Sequence, residues 1–590
     1  MDIRTHRNTL LLVRQIFDGK SSTVPCIRTP AQKPPCSEGA TVAQSFPRTS
    51  PENKGVASDY LTRFIRDLRN DETLDMHGIM ILRNGSVIAE GSFGGYDQNV
   101  WHITHSACKS VTALAVGMLI DEGKLSLEDR VVRIFEKRTD MIALLRHKDL
   151  TVRHLLNMSS GIVFNEAGAV TETDWVKCFL ESSVRGESGR RFEYNSMNTY
   201  MLSAIVSQVS GQSLMSYLKD RLWEPLGIKD VFWETCPEGI EKGGWGMYIR
   251  PEDIAKIGQL VLQKGIWNGH HLVSEDWIKE ASSFQIATPE NLGSYNYGYQ
   301  MWVGRHQNVF LFNGMFGQNV LGFPDTGILI VSNAGNNELF QKSNFYKWVE
   351  QYFPRDYRPE DFLPENPEEF KKLQALFFSL RESMPVTPGP GHPLYLKDKA
   401  VTSLEELCGS LAGKIYIPDE GKARAVGLLP MIVQVVQNNF TTGLKSLEFA
   451  LENGIFTLIV MESDEIHRLP IGFGTPEKAD LNFHGEPYKV AVSGAFTTDE
   501  DDRLVLKLRI SFLEIANARV LKIFFDGDVI VTKWLESPDQ KYLSDVLAAI
   551  SNEVKLGPLL NTILGKADSD YIDYKINCAF APEVTCTVVG

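Results

Sequence analysis

The amino-acid sequence predicts an α+β protein in which helices and antiparallel strands share roughly the first 355 residues. A second, antiparallel β-domain follows a proline-rich stretch. Three observations carry this reading. Gly78-Ile79-Met80-Ile81-Leu82-Arg83 and Ser86-Val87-Ile88-Ala89-Glu90-Gly91 flank Asn84-Gly85, and Asn-Gly between β-rich runs is the strongest short hairpin signal. Residues 130–230 read as mostly helical. From about residue 401, Leu447/Phe449/Leu451 alternate with Glu448/Ala450/Glu452, and Leu506/Leu508/Ile510/Phe512 with Lys507/Arg509/Ser511. A period of two with polar outward positions marks an antiparallel β-domain, a small barrel or a sandwich.

Taken in order, residues 1–54 carry Pro, Ser and Thr with little periodicity and are expected to form a flexible leader. Residues 57–69 form an amphipathic helix, and the Asn84-Gly85 hairpin follows. Val111-Thr112-Ala113-Leu114-Ala115-Val116-Gly117-Met118-Leu119-Ile120 is apolar on every side, the pattern of a buried helix. The catalytic part is expected to span 55–355. Residues 356–400 form a linker with one charged helix, Pro367 to Leu380, before Pro385, Pro388, Pro390 and Pro393 hold the chain extended. Residues 401–590 form the β-domain, read as a lid or dimerisation module because no catalytic signature lies in it.

The chemistry concentrates where the buried helix begins. Ser106-x-x-Lys109 brings an amine within one helical turn of a hydroxyl. A serine hydroxyl is a weak nucleophile until a base takes its proton. Lysine can serve once burial lowers its pKa from about 10.4 toward neutrality. The plain alternative is a capping serine followed by a solvated lysine, but a charge leading into a continuous apolar helix argues against it. By composition, roughly two S-x-x-K patterns are expected in a chain this long. The second, Ser216-x-x-Lys219, lies in an ordinary amphipathic helix and is read as structural.

The flanks turn the motif into a resemblance. "WHITHSACKSVTALAVGMLIDEGKLSLEDRV" (101–131), "LTVRHLLNMSSGI" (150–162), "FEYNSMNTYMLSAIVSQVSGQSL" (192–214), "GGWGMYIRPEDIAKIGQLVLQKGIWNG" (243–269), "YGYQMW" (297–302) and "NGMFGQNVLGFPDTGILIVSNAG" (313–335) occur in that order. Together they resemble the serine β-lactamase and penicillin-binding-protein superfamily over about residues 55–350. The similarity is to its class C-like branch, which also holds esterases, D-amino peptidases and aminohexanoate-dimer hydrolases. The resemblance implies an antiparallel sheet flanked by helices with an all-α lobe, and a Ser106 acyl-enzyme formed on small esters or amides. Tyr194 stands at the family's Tyr-x-Asn tyrosine, which implies a proton relay coupled to Lys109. Ser196 replaces the Asn of that motif, and Asn198 follows two residues later. The third motif is met by Phe312-Asn313-Gly314, which lacks the usual cation, so weak or absent β-lactamase activity is implied. By position Gly314 admits the substrate, and the Met315 amide joins that of Ser106 in an oxyanion hole. Gly317-Gln318 offers an alternative alignment. Ser196, Tyr248, Tyr297, Tyr299 and Trp302 are candidate cleft residues. The rival reading is a catalytically idle scaffold or sensor.

Composition narrows the remaining classes. A net charge of −14 excludes nucleic acid as the main partner, since phosphate binding needs a basic footprint. No apolar run approaches the ~20 residues of a membrane span. Leu10-Leu11-Leu12-Val13 is too short for a signal-peptide core, although the acid-poor first fifty residues are compatible with an organelle transit peptide. Eight scattered cysteines without a C-x-x-C pair form no disulfide framework and favour a reducing, cytoplasmic setting. His102 and His105 lack a G-x-S-x-G elbow and zinc-ligand spacing. No cofactor or metal is expected, and a homo-oligomer is left open.

Overall fold

The computed structural model describes residues 8, 11, 33–37, 43–383, 403–419, 426–437, 439–539, 578 and 580–589. The extended linker expected over 385–393 lies outside them. The chain divides into two compact units. One is built mainly from Cys36–Ser92 and Asp97–Ser379, the other from Phe93–Tyr96 and Leu380–Gly590.

The first unit centres on a seven-stranded antiparallel sheet of β1 (Met76–Arg83), β2 (Ser86–Ser92), β3 (Tyr295–Tyr297), β4 (Trp302–Gly304), β5 (Phe310–Gly314), β6 (Gln318–Phe323) and β7 (Ile328–Ala334), in the order β2-β1-β7-β6-β5-β4-β3. Asn84 and Gly85 take φ of 47° and 71°, the pair of positive values that a two-residue hairpin turn demands. Register pairs Ile81 with Ile330 and Val320 with Val331. Every residue of β1 is buried, so its apolar run reflects a strand covered on both faces.

Four helices matter for the site: α1 (Ser58–Asn70), α2 (Lys109–Asp121), α3 (Ser196–Ser210) and α4 (Pro251–Leu262). The helix expected over 57–69 is α1, and α4 lies on β6 and β7. Around α2, the side chains Val111, Leu114 and Val116 join Val152, Leu155, Phe179, Met201 and Leu202 of the helical lobe in one core cluster, which also holds Met80, Val320 and Val331 of the sheet. Each such side chain contributes about 1.5–3 kcal/mol of burial free energy. The α+β architecture and the helical character of 130–230 are both present.

Two stretches differ from the sequence reading. Residues 43–54 are packed rather than a loose leader. Phe46 is buried, and the Arg48 guanidinium donates to both Glu252 oxygens at 2.7 Å and reaches Glu90. Residues Pro367–Glu382 form one helix whose Leu373 and Phe377 are buried, with Phe377 against Gly91. Half of this helix therefore packs on the first unit instead of spanning a linker.

The second unit is a ten-stranded antiparallel sheet whose end strands, Glu465–Pro470 and Glu477–Phe483, are consecutive in the chain. Those ends approach each other. His467 stacks on Phe483 at 4.6 Å, and the His484 amide donates to Glu465 at 2.8 Å. The sheet is thus nearly a barrel, as the period-two alternation anticipated. Leu447, Phe449, Leu506, Leu508 and Ile510 are buried, and Lys507 and Arg509 are half-buried. Among the described residues no helix is long and apolar enough to cross a membrane.

Candidate active site

The site is assembled where a short strand, a tight turn and α2 meet. His102–Ile103 pairs with Met247–Ile249, and the Thr104 amide donates to the Met247 carbonyl at 2.8 Å. His105–Cys108 then forms a 3-10 turn, and the α-helix begins only at Lys109. The turn is tighter than the α-helix expected through Ser106. In 3-10 geometry residues three apart eclipse each other, which brings Lys109 directly beneath Ser106. His105 enters the turn with φ of 46°, a conformation that non-glycine residues take at some strain.

Lys109 is 2% exposed, and its Nζ donates to Ser106 Oγ at 3.0 Å, Ser196 Oγ at 2.8 Å and the Gly244 carbonyl at 2.6 Å. Three oxygens match the three ammonium protons, so burial of the charge is compensated. Desolvation nevertheless lowers the Lys109 pKa to about 8, opposed by the charges of Cys108 and Glu166. Gly244 is set by close approach: a Cβ there would lie 3.0 Å from the Ser196 carbonyl and 3.2 Å from Lys109 Nζ. The loop carrying it is fastened to α2, since Thr112 Oγ1 donates to the Gly243 carbonyl at 2.8 Å.

Tyr194 hydrogen-bonds Ser106, and its ring lies 5.2 Å from Lys109 Nζ. Burial pushes the phenol well above its ordinary range, with the Ser106 bond pulling it partly back and Glu166 and Cys108 raising it further. The phenol is therefore neutral at working pH, rather than tuned toward phenolate by its lysine neighbour. Of the pair, Lys109 is the group poised to accept a proton. Ser106 and Tyr194 are half-buried while Lys109 is enclosed, so the Ser106 hydroxyl is on the accessible end of the array.

Ser196 stands at the start of α3, which Asn195 caps by accepting from the Met197 amide. The Ser196 amide donates to Glu166 Oε1 at 3.0 Å, and its hydroxyl serves Lys109. Asn198 is fully buried and accepts from Ser160 at 2.6 Å, joining the "SSGI" and "YNSMN" segments beneath the site.

Gly314 ends β5 against the His105–Cys108 turn, and a Cβ there would lie 2.2 Å from the Thr104 carbonyl and 3.2 Å from the Ala107 amide nitrogen. The half-buried Met315 follows immediately. Asn313 is engaged internally. Its Nδ2 donates to Asn319 and to the Tyr346 hydroxyl, both at 2.9 Å, and its Oδ1 accepts from Gln341 at 2.9 Å. Trp302 and Tyr297 are buried behind Tyr194, with Trp302 stacked on it at 5.9 Å. Tyr248 lies in the interior of the small sheet against Trp101 and Phe232, and Tyr299 is enclosed beside Trp277.

His105 packs edge-on against Phe316, and burial lowers its pKa to about 3, helped by His102 and Lys109. It is a neutral packing group. The second S-x-x-K faces solvent: Ser216 and Lys219 are exposed, and Lys219 lies 3.7 Å from Glu224. Among the described residues no group of three or more His, Cys, Asp or Glu could hold a metal ion.

Two contributors were not singled out from sequence. Gly244 sits in the quoted "GGWG" string, whose doubled glycine was the available signal. Glu166, on a one-turn helix in the lobe, had none.

Residues 62–346 match the Beta-lactamase family. The chain is similar to the 6-aminohexanoate-dimer hydrolase of Paenarthrobacter ureafaciens, 28% identical over 327 residues that cover 50% of this chain and 81% of that protein. It is also similar to penicillin-binding protein 4* of Bacillus subtilis (strain 168), 22% identical over 237 residues, or 34% of this chain and 51% of that protein. Among solved structures, an octameric penicillin-binding protein homologue from Pyrococcus abyssi aligns with 17% identity and a TM-score of 0.41. That alignment covers 80% of this chain and 97% of that one.

Proposed function

Because residues 62–346 of this chain are a domain of the β-lactamase family, we propose that the protein is a serine hydrolase acting on small esters or amides through a Ser106 acyl-enzyme. The observation that carries this reading is the Lys109 amine, buried, shifted toward neutrality and 3.0 Å from the Ser106 hydroxyl. The similar proteins include a 6-aminohexanoate-dimer hydrolase by name, which supports a hydrolytic reaction.

In the proposed cycle Ser106 Oγ attacks the substrate carbonyl carbon while its proton passes to Lys109 Nζ. The carbonyl π-electrons move onto oxygen, and the Ser106 and Met315 amides stabilise that oxyanion. Collapse of the intermediate breaks the bond to the leaving group, which takes a proton through the Tyr194 hydroxyl. Lys109 re-protonates Tyr194. Water then attacks the acyl-enzyme by the same relay in reverse, releasing the acid and restoring Ser106. Ser196 and Gly244 hold the amine in line, and Glu166 adjusts its charge from the lobe side.

The substrate is expected to lack a carboxylate beside the scissile bond. Asn313 offers no positive charge and is committed to Gln341, Asn319 and Tyr346, while Glu166 would repel an anion. The decisive experiment is labelling with a fluorophosphonate and, separately, a fluorescent penicillin, followed by identification of the modified residue. Fluorophosphonate on Ser106 with little or no penicillin adduct is expected. Ser106→Ala should lower p-nitrophenyl acetate hydrolysis by roughly 10⁴-fold or more, as nucleophile removal does elsewhere. Ser216→Ala should retain at least about half the activity, its hydroxyl having no role in the chemistry. Labelling at another residue, or equal loss in both variants, rejects the assignment.

A further inference from the structure

On the leaving-group side of Ser106 the site is bounded by an aromatic wall whose outermost member, Phe340, was not singled out by its sequence context. The Phe340 ring meets Tyr194 edge-on at 5.2 Å and Trp302 at 5.9 Å. Phe192 and Tyr297 extend the wall behind, at 5.9 Å and 5.0 Å from Trp302. Trp302 and Tyr297 are buried, whereas Phe340 and Tyr194 are half-buried. The solvent-facing part of the wall is therefore the Phe340–Tyr194 pair, and none of the five side chains carries a charge.

Phe340 is held in that position. The Phe316 amide donates to the Glu338 carbonyl at 2.8 Å, and the Asn336 amide returns to the Phe316 carbonyl at 3.0 Å. The buried Glu338 carboxylate accepts from the Ser343 amide and hydroxyl at 3.0 and 2.8 Å. Gln341, next to Phe340, donates to Asn313. Phe312, at the first position of the third motif, is buried and carries no charge, and Asn313 beside it anchors the loop that presents an aromatic ring.

We infer that Phe340, positioned by the Asn313–Gln341 and Glu338 anchors, is a specificity-determining residue that selects substrates with a neutral, apolar leaving group. The inference rests on the serine-hydrolase reading. The leaving atom must come within reach of the Tyr194 hydroxyl, and whatever is bonded to that atom then lies beside the ring that packs on Tyr194. An apolar group there exchanges water for aromatic surface, while an anionic group would lose hydration with no cation in the wall to replace it.

The test holds the acyl group constant and varies the alcohol. Methyl, butyl and phenethyl acetate are followed by pH-stat with wild type, Phe340→Ala and Phe340→Leu, and fluorophosphonate labelling of Ser106 is timed in parallel. Wild type should favour phenethyl over methyl acetate. Phe340→Ala should lower kcat/KM for phenethyl acetate about tenfold through KM, and leave methyl acetate within about twofold, the range expected for loss of one apolar pocket contact. Phe340→Leu should fall between them. An equal loss on all three esters would reduce Phe340 to a structural role, and unchanged selectivity would remove it altogether. A preference for acetylcholine over its neutral carbon isostere would overturn the neutral-group assignment. Normal labelling with unaltered selectivity sinks this inference alone, whereas absence of Ser106 labelling in wild type sinks the parent reading with it.

Discussion

A general base must be neutral for part of its time, and at Lys109, the proposed base, the surroundings decide how often. With a pKa of about 8, about a tenth of molecules at pH 7 hold the amine uncharged, against roughly one in a few thousand for a free lysine. Protonation on the acid side removes the base, so hydrolysis should fall as pH drops through about 8, with apparent values belonging to the Lys109–Tyr194 pair. Arginine cannot shed its proton at any working pH. Lys109→Arg should therefore match Lys109→Ala, both at least about 10³-fold below wild type across roughly pH 5 to 10. An arginine variant within about tenfold of wild type would remove Lys109 as the base. Glu166 acts in the opposite sense to burial: its carboxylate raises the lysine's pKa. Glu166→Gln keeps an acceptor for the Ser196 amide and removes the charge. Its acid limb should move to lower pH while the rate on the alkaline plateau stays within about tenfold. An unmoved limb would show that Glu166 only positions Ser196. The pairing of Ser106 with Lys109 could be read from three letters of spacing. Glu166 and Gly244 could not, because they come from 57 and 135 residues beyond Lys109 and meet it only through folding.

Elements carry the site by fitting closely rather than by bending. β5 can reach the nucleophile turn because Gly314 has no side chain, and a methyl group there would collide with the Thr104 carbonyl. The nearest of its three neighbours is that backbone carbonyl, and Gln318 Cβ and the Ala107 amide close in at 3.0 and 3.2 Å, so relief requires the strand or the turn to shift. Gly314→Ala should lower kcat/KM about 100-fold, the scale of an ångström's misplacement, and cost about 1–3 kcal/mol in urea unfolding. Wild-type activity in that variant would mean that the strand end and turn are compliant. Strands and helices with strong periodicity were legible: the Asn84-Gly85 hairpin, α1 and the alternating strands after 444 all formed. The start of α2 was not, since a 3-10 turn and an α-helix share the same residues and differ only in how tightly they wind. The helix at 367–382 was legible, but its packing, like that of residues 43–54, was not, for another reason. Proline, serine and charge dominate their composition, while a few anchors (Phe46 and Arg48 in one, Leu373 and Phe377 in the other) determine where they lie.

At the scale of the whole molecule, the core around α2 runs, among the described residues, from Phe46 to Val331, within the first unit. A chain ending at Ser383 should accordingly remain soluble and unfold cooperatively, because it keeps the buried Leu373 and Phe377. A chain ending at Phe362 lacks them and should be less stable by about 3–6 kcal/mol, at about 1.5–3 kcal/mol for each of two large buried side chains. Circular dichroism melts of the two truncations decide this, and equal stability would mean that the 367–382 helix adds nothing to the first unit. The near-barrel carries its own consequence. Its strands are knit by ladders all the way round except between Glu465–Pro470 and Glu477–Phe483, where a stacked ring pair and one amide-to-carboxylate hydrogen bond span the gap. No ladder joins the two end strands to each other across that seam. In deuterated solvent the seam should exchange first within the β-domain, ahead of Leu504–Phe512 and Ala518–Asp526 at its centre. It is the line along which this otherwise continuous wall would come undone.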